Sequence, residues 1–561
     1  MKKVSLSTYI LMRLKELNTN HIFGIPGDYV LPLFDEILDG DHGVQHIMPC
    51  NELNGTYAAD GYAKQNGFGA MAVTFGVGSL SCANGLASAY ADDTPILVLA
   101  GAPAISVLKT PTERLYHHAI GNKFDTNVDM FKHITCVSQR VESIDTAPYY
   151  VDQMLRKAMQ TKKPVYLEVP YDMQTMDVDA PTKPLDLMLD QSSISNLEAA
   201  LQETVILLHR SRTRSVVTGH LLQREALVPQ GIELVNQLNA AVATTFTCKM
   251  GDFEAHDNNV GIYMGEVSED YTKEMVDGAD VAIALGVTLN EFDTGVFSTQ
   301  LGKKQDAIWI RQDYVEINGR RFDQVYLRDF LPTLLGAIKD IEAGQLILQP
   351  RRKFAFEQRD AFVPTNNDLT IERLFIQFSN YLEEGDMLYG DTGGFINSTQ
   401  AEFPADIIMH GCGNWGSLGA GFGMFVGANF ANEQLNRRSI TIQGEGAFTM
   451  SAQDLATLIH HKKDAVIFLL DNSGYGAERA INPGKQRSYN DIAVWKYEKL
   501  GEALGGTEGK DVHSYVAHTE KDMANIFEAL KAPKGINIVR IMLDPDDSAA
   551  FNLRFSQLLR H

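Results

Sequence analysis

Short apolar runs alternate with longer amphipathic stretches along most of the chain. Each run is too short for a helix and apolar at successive positions, which is typical of a strand buried on both faces of a sheet. The clearest strand predictions are His21 to Ile25, Ala70 to Phe75, Ile96 to Ala100, Val165 to Val169, Ser215 to Gly219, Asp280 to Gly286, Arg438 to Gly444, Asp464 to Asp471 and Ile536 to Met542. The alternation predicts an α/β protein with mostly parallel sheets.

Two polar stretches divide this alternation into three blocks. The first contains Pro181, Pro184 and Gln191 to Ser195, and the second runs from about Ala343 to Pro364. A chain of 561 residues is long enough for three or four domains of roughly 150 residues each. We therefore predict three doubly wound α/β domains, at residues 1–180, 195–342 and 365–561.

The composition narrows the possible partners and surroundings. A hydrophobic fraction of 44% and a charged fraction of 21% are those of an ordinary globular protein. A formal net charge of −22 argues against a general nucleic-acid binder, which needs a basic face. No stretch approaches the ~20 apolar residues of a membrane span, and the run from Leu6 to Leu17 is amphipathic rather than a signal peptide. The five scattered cysteines include no CxxC pair, so a reducing compartment, the cytoplasm, is expected.

Residues 438–472 contain the most specific local pattern. One apolar strand runs into Gly444-Glu445-Gly446, and the next strand ends at Asn472. If the two strands are parallel neighbours, the acid, the glycines and the amide meet at the edge where α/β sheets bind ligands. Carboxylate oxygens suit Mg²⁺, and glycines let the backbone approach phosphate groups. The pattern predicts a metal–diphosphate site, with a plain structural turn as the alternative.

Other polar residues could carry chemistry, and each has a simpler structural explanation. Glu52 opens a predicted helix, where an acid also favours the helix dipole. His117 and His118 suit an acid–base pair near neutral pH, or only a surface loop, and metal ligation is less favoured because no third ligand is near in sequence. Asp28 follows a strand and could be only a helix cap. Glu478 lies in the short segment after the second strand of the glycine motif.

Together and in this order, these features resemble the thiamine-diphosphate-dependent 2-oxo acid decarboxylases of the pyruvate, indolepyruvate, phenylpyruvate and branched-chain type. The likeness covers nearly the whole chain, and the adjacent histidines with Asp28 and Glu478 point to this simple decarboxylase branch. It rests on the segments Phe23 to Tyr29, Asn51 to Ala63, Thr74 to Gly78, His117-His118, Trp415 to Gly419, Gly444 to Asn472 and Ser488 to Ile492. The resemblance implies a thiamine-diphosphate-binding fold with pyrimidine-binding, central and diphosphate-binding domains in that order.

The resemblance also implies the reaction and its cofactors, thiamine diphosphate and Mg²⁺. A 2-oxo acid would lose carbon dioxide without oxidation and become an aldehyde, through an ylid and an enamine of the cofactor. Glu52 would hydrogen-bond the aminopyrimidine ring, and Leu418 would bend the cofactor so that its proton-accepting nitrogen meets the reactive carbon. Proton handling and positioning of the substrate carboxylate would fall to Asp28, His117, His118 and Glu478.

The remaining site residues are implied by their positions in the family's motifs. The cofactor would contact Glu52, Thr392, Gly393, Gly416, Ser417, Leu418, Gly446, Ala447, Asn472 and Tyr475. The magnesium ligands would be Glu445, Asn472 and the carbonyl oxygen of Gly474. The small-molecule substrate would meet Ala477, Ile481, Ile396 and Thr74. Because the family builds each active site from two subunits, a homo-oligomer is expected, with a dimer of dimers favoured.

Some positions depart from the family's pattern in ways that bear on function. The acid between the glycines is Glu445 where the family has aspartate, so metal binding is expected to survive with altered affinity or preference. Ala477 replaces a larger aliphatic residue, and Ile396 stands where relatives carry an aromatic one. Both changes open the substrate pocket, which predicts a preference for aromatic, branched or long-chain 2-oxo acids over pyruvate.

Two other interpretations fit part of the pattern. A carboligating relative of acetohydroxyacid synthase type would add a flavin and lack the adjacent histidines, so His117 and His118 argue against it. A cofactor-binding homologue with weak activity could have arisen when aspartate became Glu445. The retention of Glu52 and Glu478 argues against that second interpretation.

Overall fold

The computed structural model describes residues 2–109, 116–121, 123–187, 190–345, 362–482, 484 and 486–559. Three sheets dominate these residues, and most strand pairs in them are parallel. Successive residues of the strand Ala465–Asp471 enter two different hydrophobic cores, so this sheet is packed on both faces. The predicted α/β class with doubly wound, mostly parallel sheets is confirmed. Within the same described ranges, each helix is too short or too polar to cross a membrane.

The first third of the chain folds into a six-stranded parallel sheet with its own helices. The described residues of this part of the chain include eight strands, of which six form the sheet. They are β1 (Lys3–Ser5), β2 (His21–Gly24), β3 (Gln45–Ile47), β4 (Gly69–Val73), β5 (Ile96–Ala102), β6 (Val137–Arg140), β7 (Val165–Pro170) and β8 (Asp177–Asp179). Its helices are α1 (Leu6–Glu16), α2 (Leu31–Asp39), α3 (Glu52–Asn66), α4 (Val77–Ser81), α5 (Ala83–Ala91), α6 (Ile105–Leu108), α7 (Thr126–Phe131) and α8 (Ala147–Thr161). The sheet has the order β3-β2-β4-β5-β7-β6, and β1 pairs with β8 separately.

The middle part forms a seven-stranded mixed sheet. Its strands are β9 (Arg214–Thr218), β10 (Ala241–Thr245), β11 (Asn259–Tyr263), β12 (Val281–Leu285), β13 (Asp306–Ile310), β14 (Tyr314–Ile317) and β15 (Arg320–Asp323). Its helices are α9 (Ile194–Arg210), α10 (Leu221–Arg224), α11 (Val228–Leu238), α12 (Gly251–Glu254), α13 (Asp270–Asp277) and α14 (Leu327–Ala337). The order is β11-β10-β9-β12-β13-β14-β15, and only the pairs made by β14 are antiparallel.

The last part returns to a six-stranded parallel sheet. Its strands are β16 (Met387–Gly390), β17 (Met409–His410), β18 (Ser439–Gly444), β19 (Ala465–Asp471), β20 (Val512–Ala517) and β21 (Ile536–Met542). Its helices are α15 (Ile371–Tyr381), α16 (Thr392–Asn397), α17 (Ala420–Ala431), α18 (Glu445–Phe448), α19 (Leu455–His460), α20 (Gly476–Ile481), α21 (Leu500–Ala503), α22 (Glu520–Ala529) and α23 (Ala550–Leu559). The strand order is β17-β16-β18-β19-β21-β20.

The first and last sheets share one topology. Counted along the chain, the strands of each follow the order second, first, third, fourth, sixth and fifth. Because every pair within them is parallel, all strands of a sheet end at the same edge. The chain therefore presents two carboxyl edges of matching construction, one in each half.

Helices α3 and α17 join the first and last parts through a close backbone contact. A Cβ atom on Gly61 would lie 1.9 Å from the carbonyl oxygen of Met424, and one on Gly427 would lie 1.8 Å from that of Ala58. Only glycine fits at such a distance, so these positions set how closely the helices approach. One hydrophobic core runs through both sheets, from Phe23 to Ile538.

Most predicted elements are present, with shifted ends. The final helix begins at Ala550 rather than Ser548, and the segment from Ala452 to His460 divides into a short 3-10 turn followed by α19. The first predicted strand, which is β2 in the structure, ends at Gly24 instead of Ile25. Much of the second predicted linker, residues 346–361, lies outside the described residues.

Candidate active site

The carboxyl edge of the last sheet brings Glu445 and Asn472 to neighbouring strand ends. Strands β18 and β19 are parallel neighbours, with Gly444 opposite Leu470, as predicted. Glu445 is the first residue of α18, and only 2% of it is exposed. Its Oε1 atom accepts a hydrogen bond of 2.6 Å from the backbone N–H of Gly474. This bond ties the glycine motif to the loop that follows β19.

The electrostatics of this edge favour a cation. Burial raises the pKa of Glu445 to about 7, and the nearby charge of Asp471 adds to the rise. Within the described part of the chain, the buried Oδ1 atom of Asn472 has no hydrogen-bond partner. Mg²⁺ binds carboxylate and carbonyl oxygens. Here a carboxylate and an amide oxygen lack full sets of hydrogen-bond partners and are available as ligands. These residues therefore fit a hard divalent cation.

Glycines next to these ligands leave the backbone bare. A Cβ atom on Gly446 would lie 2.8 Å from the ring of Tyr475, and one on Gly393 would lie 3.3 Å from the Cα atom of Gly444. The surrounding cleft, counted together with the solvent space at its mouth, has a volume of about 750 Å³. A bare backbone beside a metal site fits the approach of a diphosphate group.

The carboxyl edge of the first sheet holds a second polar cluster. Asp28 opens a 3-10 turn shortly after β2, and its Oδ2 atom lies 2.6 Å from Nε2 of His117. The hydroxyl group of Thr74, just after β4, donates to Oδ1 of Asp28 at 3.3 Å. The ring of His118 lies 4.5 Å from that of His117, centroid to centroid. Ligand atoms of Asp28 and both histidines lie within 4.8 Å of one another, so the structure supplies the third group that sequence spacing lacked.

Tyr29 orients the histidine of this cluster. Its ring stacks on that of His117 with centroids 5.2 Å apart, and its hydroxyl oxygen lies 3.4 Å from Nδ1. Burial raises the pKa of Tyr29, so its O–H stays available to donate. If Tyr29 donates to Nδ1, the ring proton of His117 belongs on Nε2 and points to Asp28.

Glu52 is held at the start of α3, near the same edge. Asn51 caps the helix by accepting a hydrogen bond from the backbone N–H of Asn54 at 2.8 Å. A Cβ atom on Gly78 would lie 3.6 Å from Oε1 of Glu52, so the bare glycine borders the carboxylate. The cap and the α3–α17 contact together fix where this carboxylate sits.

The predicted site residues fall into two groups within one chain. The cleft at the last sheet is lined by Thr392, Gly393, Ile396, Leu418, Glu445, Gly446, Ala447, Asn472, Gly474, Tyr475, Ala477 and Glu478. Among the described residues, its lining does not include Glu52, Asp28, His117, His118 or Thr74, which belong to the first sheet. One chain therefore holds the predicted site residues in two separate places.

Besides the acids and histidines of the first sheet, four predicted residues lie away from the cleft lining. The hydroxyl group of Ser417 is 2.8 Å from that of Tyr57, and a Cβ atom on Gly416 would meet open space. Ile481 ends α20 with 36% of its surface exposed. Thr74, predicted for the substrate pocket, contacts Asp28 instead of lining this cleft.

Sequence reasoning missed part of the cleft wall. Beyond the predicted residues, Ile371, Leu543, Asp547, Ser548 and Asn552 line it. They come from the start of α15 and from the chain after β21, far in sequence from the glycine motif. The end of β21 at the same sheet edge was the available signal, because a segment leaving that edge must pass over the ligand site.

Comparisons with known proteins match this architecture. Models of thiamine pyrophosphate enzymes match the N-terminal TPP binding domain at residues 4–129, the central domain at 201–335 and the C-terminal TPP binding domain at 393–541. Pyruvate decarboxylase isozyme 3 of Saccharomyces cerevisiae is 30% identical over 100% of this chain and 99% of its own length. Pyruvate decarboxylase of Hanseniaspora uvarum is 31% identical over 91% of this chain and 90% of its own.

The order of the three matched domains confirms the fold expected from the resemblance, and the family implies thiamine diphosphate with a divalent metal such as Mg²⁺. The oxygen ligands and bare glycines of the last sheet fit those groups. The chain therefore belongs to the family of thiamine-diphosphate-dependent 2-oxo acid decarboxylases and is an enzyme of that family.

Proposed function

We propose that this enzyme converts aromatic, branched or long-chain 2-oxo acids to aldehydes and carbon dioxide in preference to pyruvate. The observation that supports the preference is the cleft wall beside Glu478, where Ala477 and Ile396 leave space. A methylene more or less in such a pocket changes selectivity by ~1 to 3 kcal/mol. The relatives named above are pyruvate decarboxylases, so the proposal is that this chain shares their reaction with a larger substrate.

At the last sheet, the chain's own residues would hold the cofactor's charged end. Glu445 and the Oδ1 atom of Asn472 would bind the metal, with the carbonyl oxygen of Gly474 as the third protein ligand. Gly446 and Gly393 would admit the diphosphate, and Leu418 would support the bend of the cofactor. When bound, thiamine diphosphate supplies the nucleophilic carbon and takes up the electron pair left as carbon dioxide departs.

At the first sheet, the residues would hold and move protons. Glu52 would share a proton with the cofactor's ring nitrogen. Asp28 and His117 already share a 2.6 Å hydrogen bond, so a proton can pass between them when the product is protonated. His118 and Glu478 would position the substrate carboxylate and complete the exchange.

Two copies of the chain would complete each site. The proton-handling residues and the metal-binding cleft lie at different sheets of one chain, and side chains of Asp28 and His117 are 47% and 59% exposed. A partner's cleft placed over this edge would cover these charges and join both groups. We infer that the smallest active unit is a homodimer and that two such dimers assemble as a dimer of dimers. Each chain would have three domains, at residues 1–180, 195–342 and 365–561. The five free cysteines suit the reducing cytoplasm, where we place the enzyme.

The test is a comparison of kcat/KM for pyruvate, phenylpyruvate and 2-oxoisocaproate, with thiamine diphosphate and Mg²⁺ present and absent. We expect the two larger acids to exceed pyruvate by at least tenfold, and Ala477→Ile to narrow or reverse that ratio. Leu553→Ala, at an exposed position of α23, serves as the control and should leave the ratio unchanged.

Three results would contradict the proposal. A higher kcat/KM for pyruvate than for both larger acids would contradict the proposed preference for large substrates. Condensation products in place of free aldehyde would favour a carboligase. Bound cofactor without turnover of any acid would favour a homologue of weak activity.

A further inference from the structure

Polar side chains at one end of the cleft have no part in the roles above. We propose that Asp547, Ser548 and Asn552 form a subsite for a hydrogen-bond donor at the far end of the substrate's side chain. The favoured substrates are aromatic 2-oxo acids with a distal O–H or N–H group, such as a phenol or an indole. The inference rests on the proposed function, because the substrate's side chain must enter this cleft.

The position of these residues assigns them to the substrate end. Glu445 and Asn472 mark the metal end of the cleft, whereas Ala477 and Glu478 lie one helix further along, on α20. Helix α20 packs against α23. Asn552 lies in the first turn of α23, and Ser548 lies just before it. The polar residues are therefore next to the pocket's side wall and not next to the diphosphate.

Their hydrogen-bonding capacity is unused. Within the described residues, the side chains of Ser548 and Asn552 make no hydrogen bond, although both line the cleft and are partly buried. The Oδ2 atom of Asp547 accepts the backbone N–H of Ile371 at 2.6 Å, which leaves Oδ1. Each of the three side chains has an oxygen that can accept a hydrogen bond, although the hydroxyl of Ser548 and the amide of Asn552 can also donate. The carboxylate of Asp547 can only accept, so this end of the cleft favours a donor.

The rest of the wall is apolar. Ile371, Ile396 and Leu543 line the same cleft. An apolar sleeve with a few convergent polar groups is the usual form of a small-molecule site, in which the polar groups fix orientation. An aromatic ring that entered along this apolar wall would carry a donor on its far side toward the acceptors.

The subsite is built on a rigid element. Phe551 and Phe555 of α23 stack on Phe246 and Phe292 of the middle part, each pair with centroids 5.3 Å apart. Arg554 donates to Glu269 at 2.7 Å. Because the helix is fixed on both sides of Asn552, the backbone that carries this amide is held in one place, as recognition requires.

The charge of Asp547 predicts an exclusion as well. A carboxylate at the far end of the pocket repels a second carboxylate on the substrate. Dicarboxylic 2-oxo acids, such as 2-oxoglutarate, should therefore be poor substrates even though their size is suitable.

The experiment compares substrates that differ by one donor, using the enzyme loaded with thiamine diphosphate and Mg²⁺. The pairs are 4-hydroxyphenylpyruvate with phenylpyruvate, and indole-3-pyruvate with its benzothiophene analogue, in which sulfur replaces N–H. We expect kcat/KM to favour the donor by about tenfold in at least one pair, the effect of about one hydrogen bond. In the variant with both Ser548→Ala and Asn552→Leu, which leaves Asp547 as the remaining acceptor, that ratio should fall well below its wild-type value.

Gln557→Leu is the matched control, since Gln557 is an exposed amide on the same helix. It should keep the wild-type ratio. Ratios near one in both wild-type pairs, or a ratio that survives the double change, would overturn the subsite.

A binding measurement separates this inference from the proposed function. Calorimetric titration with 3-(4-hydroxyphenyl)propionate and 3-phenylpropionate needs no turnover. A donor preference in Kd that the double change removes would support the subsite, even if every 2-oxo acid failed as a substrate and the proposed function were lost. Equal Kd values for the two acids in the wild-type enzyme would count against it.

Discussion

The first and last sheets have the same strand order, yet their carboxyl edges carry different polar side chains. The edge of the last sheet buries its acids, Asp391, Glu445 and Asp471, and places Glu445 near an amide oxygen and bare glycines. The edge of the first sheet carries two acids and two histidines, of which Asp28 and His117 are exposed. The comparison teaches that the scaffold sets where chemistry can occur, whereas the residues at the strand ends decide which chemistry it is.

Burial explains the division of labour. A metal ligand benefits from a dry setting, because a bound cation then dominates the local field. Groups that exchange protons need access to the substrate, and the exposed side chains of Asp28 and His117 have it in the single chain. The two edges are thus complementary halves, and each can be disabled separately.

The largest expected effect separates proton handling from cofactor binding. Glu52→Gln keeps the size and hydrogen-bonding shape of the side chain but removes its ability to take a proton. We expect kcat/KM to fall by about 10³-fold or more, near the upper range for general acid–base groups. Binding of thiamine diphosphate and Mg²⁺, followed calorimetrically, should change far less. If the variant kept activity within tenfold of the wild type, the proton-handling role proposed for Glu52 would be wrong.

Asp28→Asn tests the same edge at the product-forming end. The amide still accepts a hydrogen bond from His117 but cannot hold a proton, so we expect about a 10²-fold loss in kcat. Asp39→Asn, an exposed acid at the end of α2, is the control. Equal behaviour of the two variants in steady-state kinetics would mean that the 2.6 Å contact is only structural.

Glu445 makes the other edge sensitive to pH in the metal-free protein. Its pKa is raised from 4.5 to about 7, so the folded state binds a proton that the unfolded state has already lost. Stability should therefore fall as pH rises from about 4.5 to 7, by about 3 kcal/mol, because the slope follows the difference in bound protons. Denaturant titrations should show this contribution missing in Glu445→Gln and offset by Mg²⁺ in the wild type. An identical slope in Glu445→Gln would contradict the assignment.

Glu445→Asp sharpens the same point. If the site retains the family's geometry, affinity for Mg²⁺ should be equal or higher with aspartate. A large loss of affinity would show that the edge has re-formed around the longer acid, whose Oε1 atom is bound by Gly474.

The smallest expected effect concerns Tyr29. Tyr29→Phe keeps the ring that stacks on His117 and removes only the O–H group. We expect a two- to tenfold loss in kcat, as for about one hydrogen bond, with a displaced pH profile. Nitrogen NMR of the histidine ring should show the tautomer change. A lower kcat with an unchanged pH profile would mean that Tyr29 only packs.

Much of this could be predicted from the sequence, because it depends on local patterns. Strand ends at Gly444 and Asn472 follow from apolar runs and turn residues, and the motif around Glu445 follows from them. The matching order of the two sheets and the position of Asn552 in the cleft wall could not be predicted in this way. Both depend on contacts between segments that are far apart in the chain, and local periodicity carries no information about such contacts.

The glycine contact between α3 and α17 bears on how the protein is made. Ala58 leaves the ribosome long before Gly427, the residue on which its carbonyl rests. At roughly 5–20 residues per second, about 20 to 70 s pass between the two. During that time the face of the nascent first domain that will pack on α17 is exposed to solvent. This hydrophobic surface can bind chaperones or associate with other nascent chains. Changes at Gly61 or Gly427 should therefore lower the yield of folded enzyme in cells more than they lower the activity of the molecules that finish.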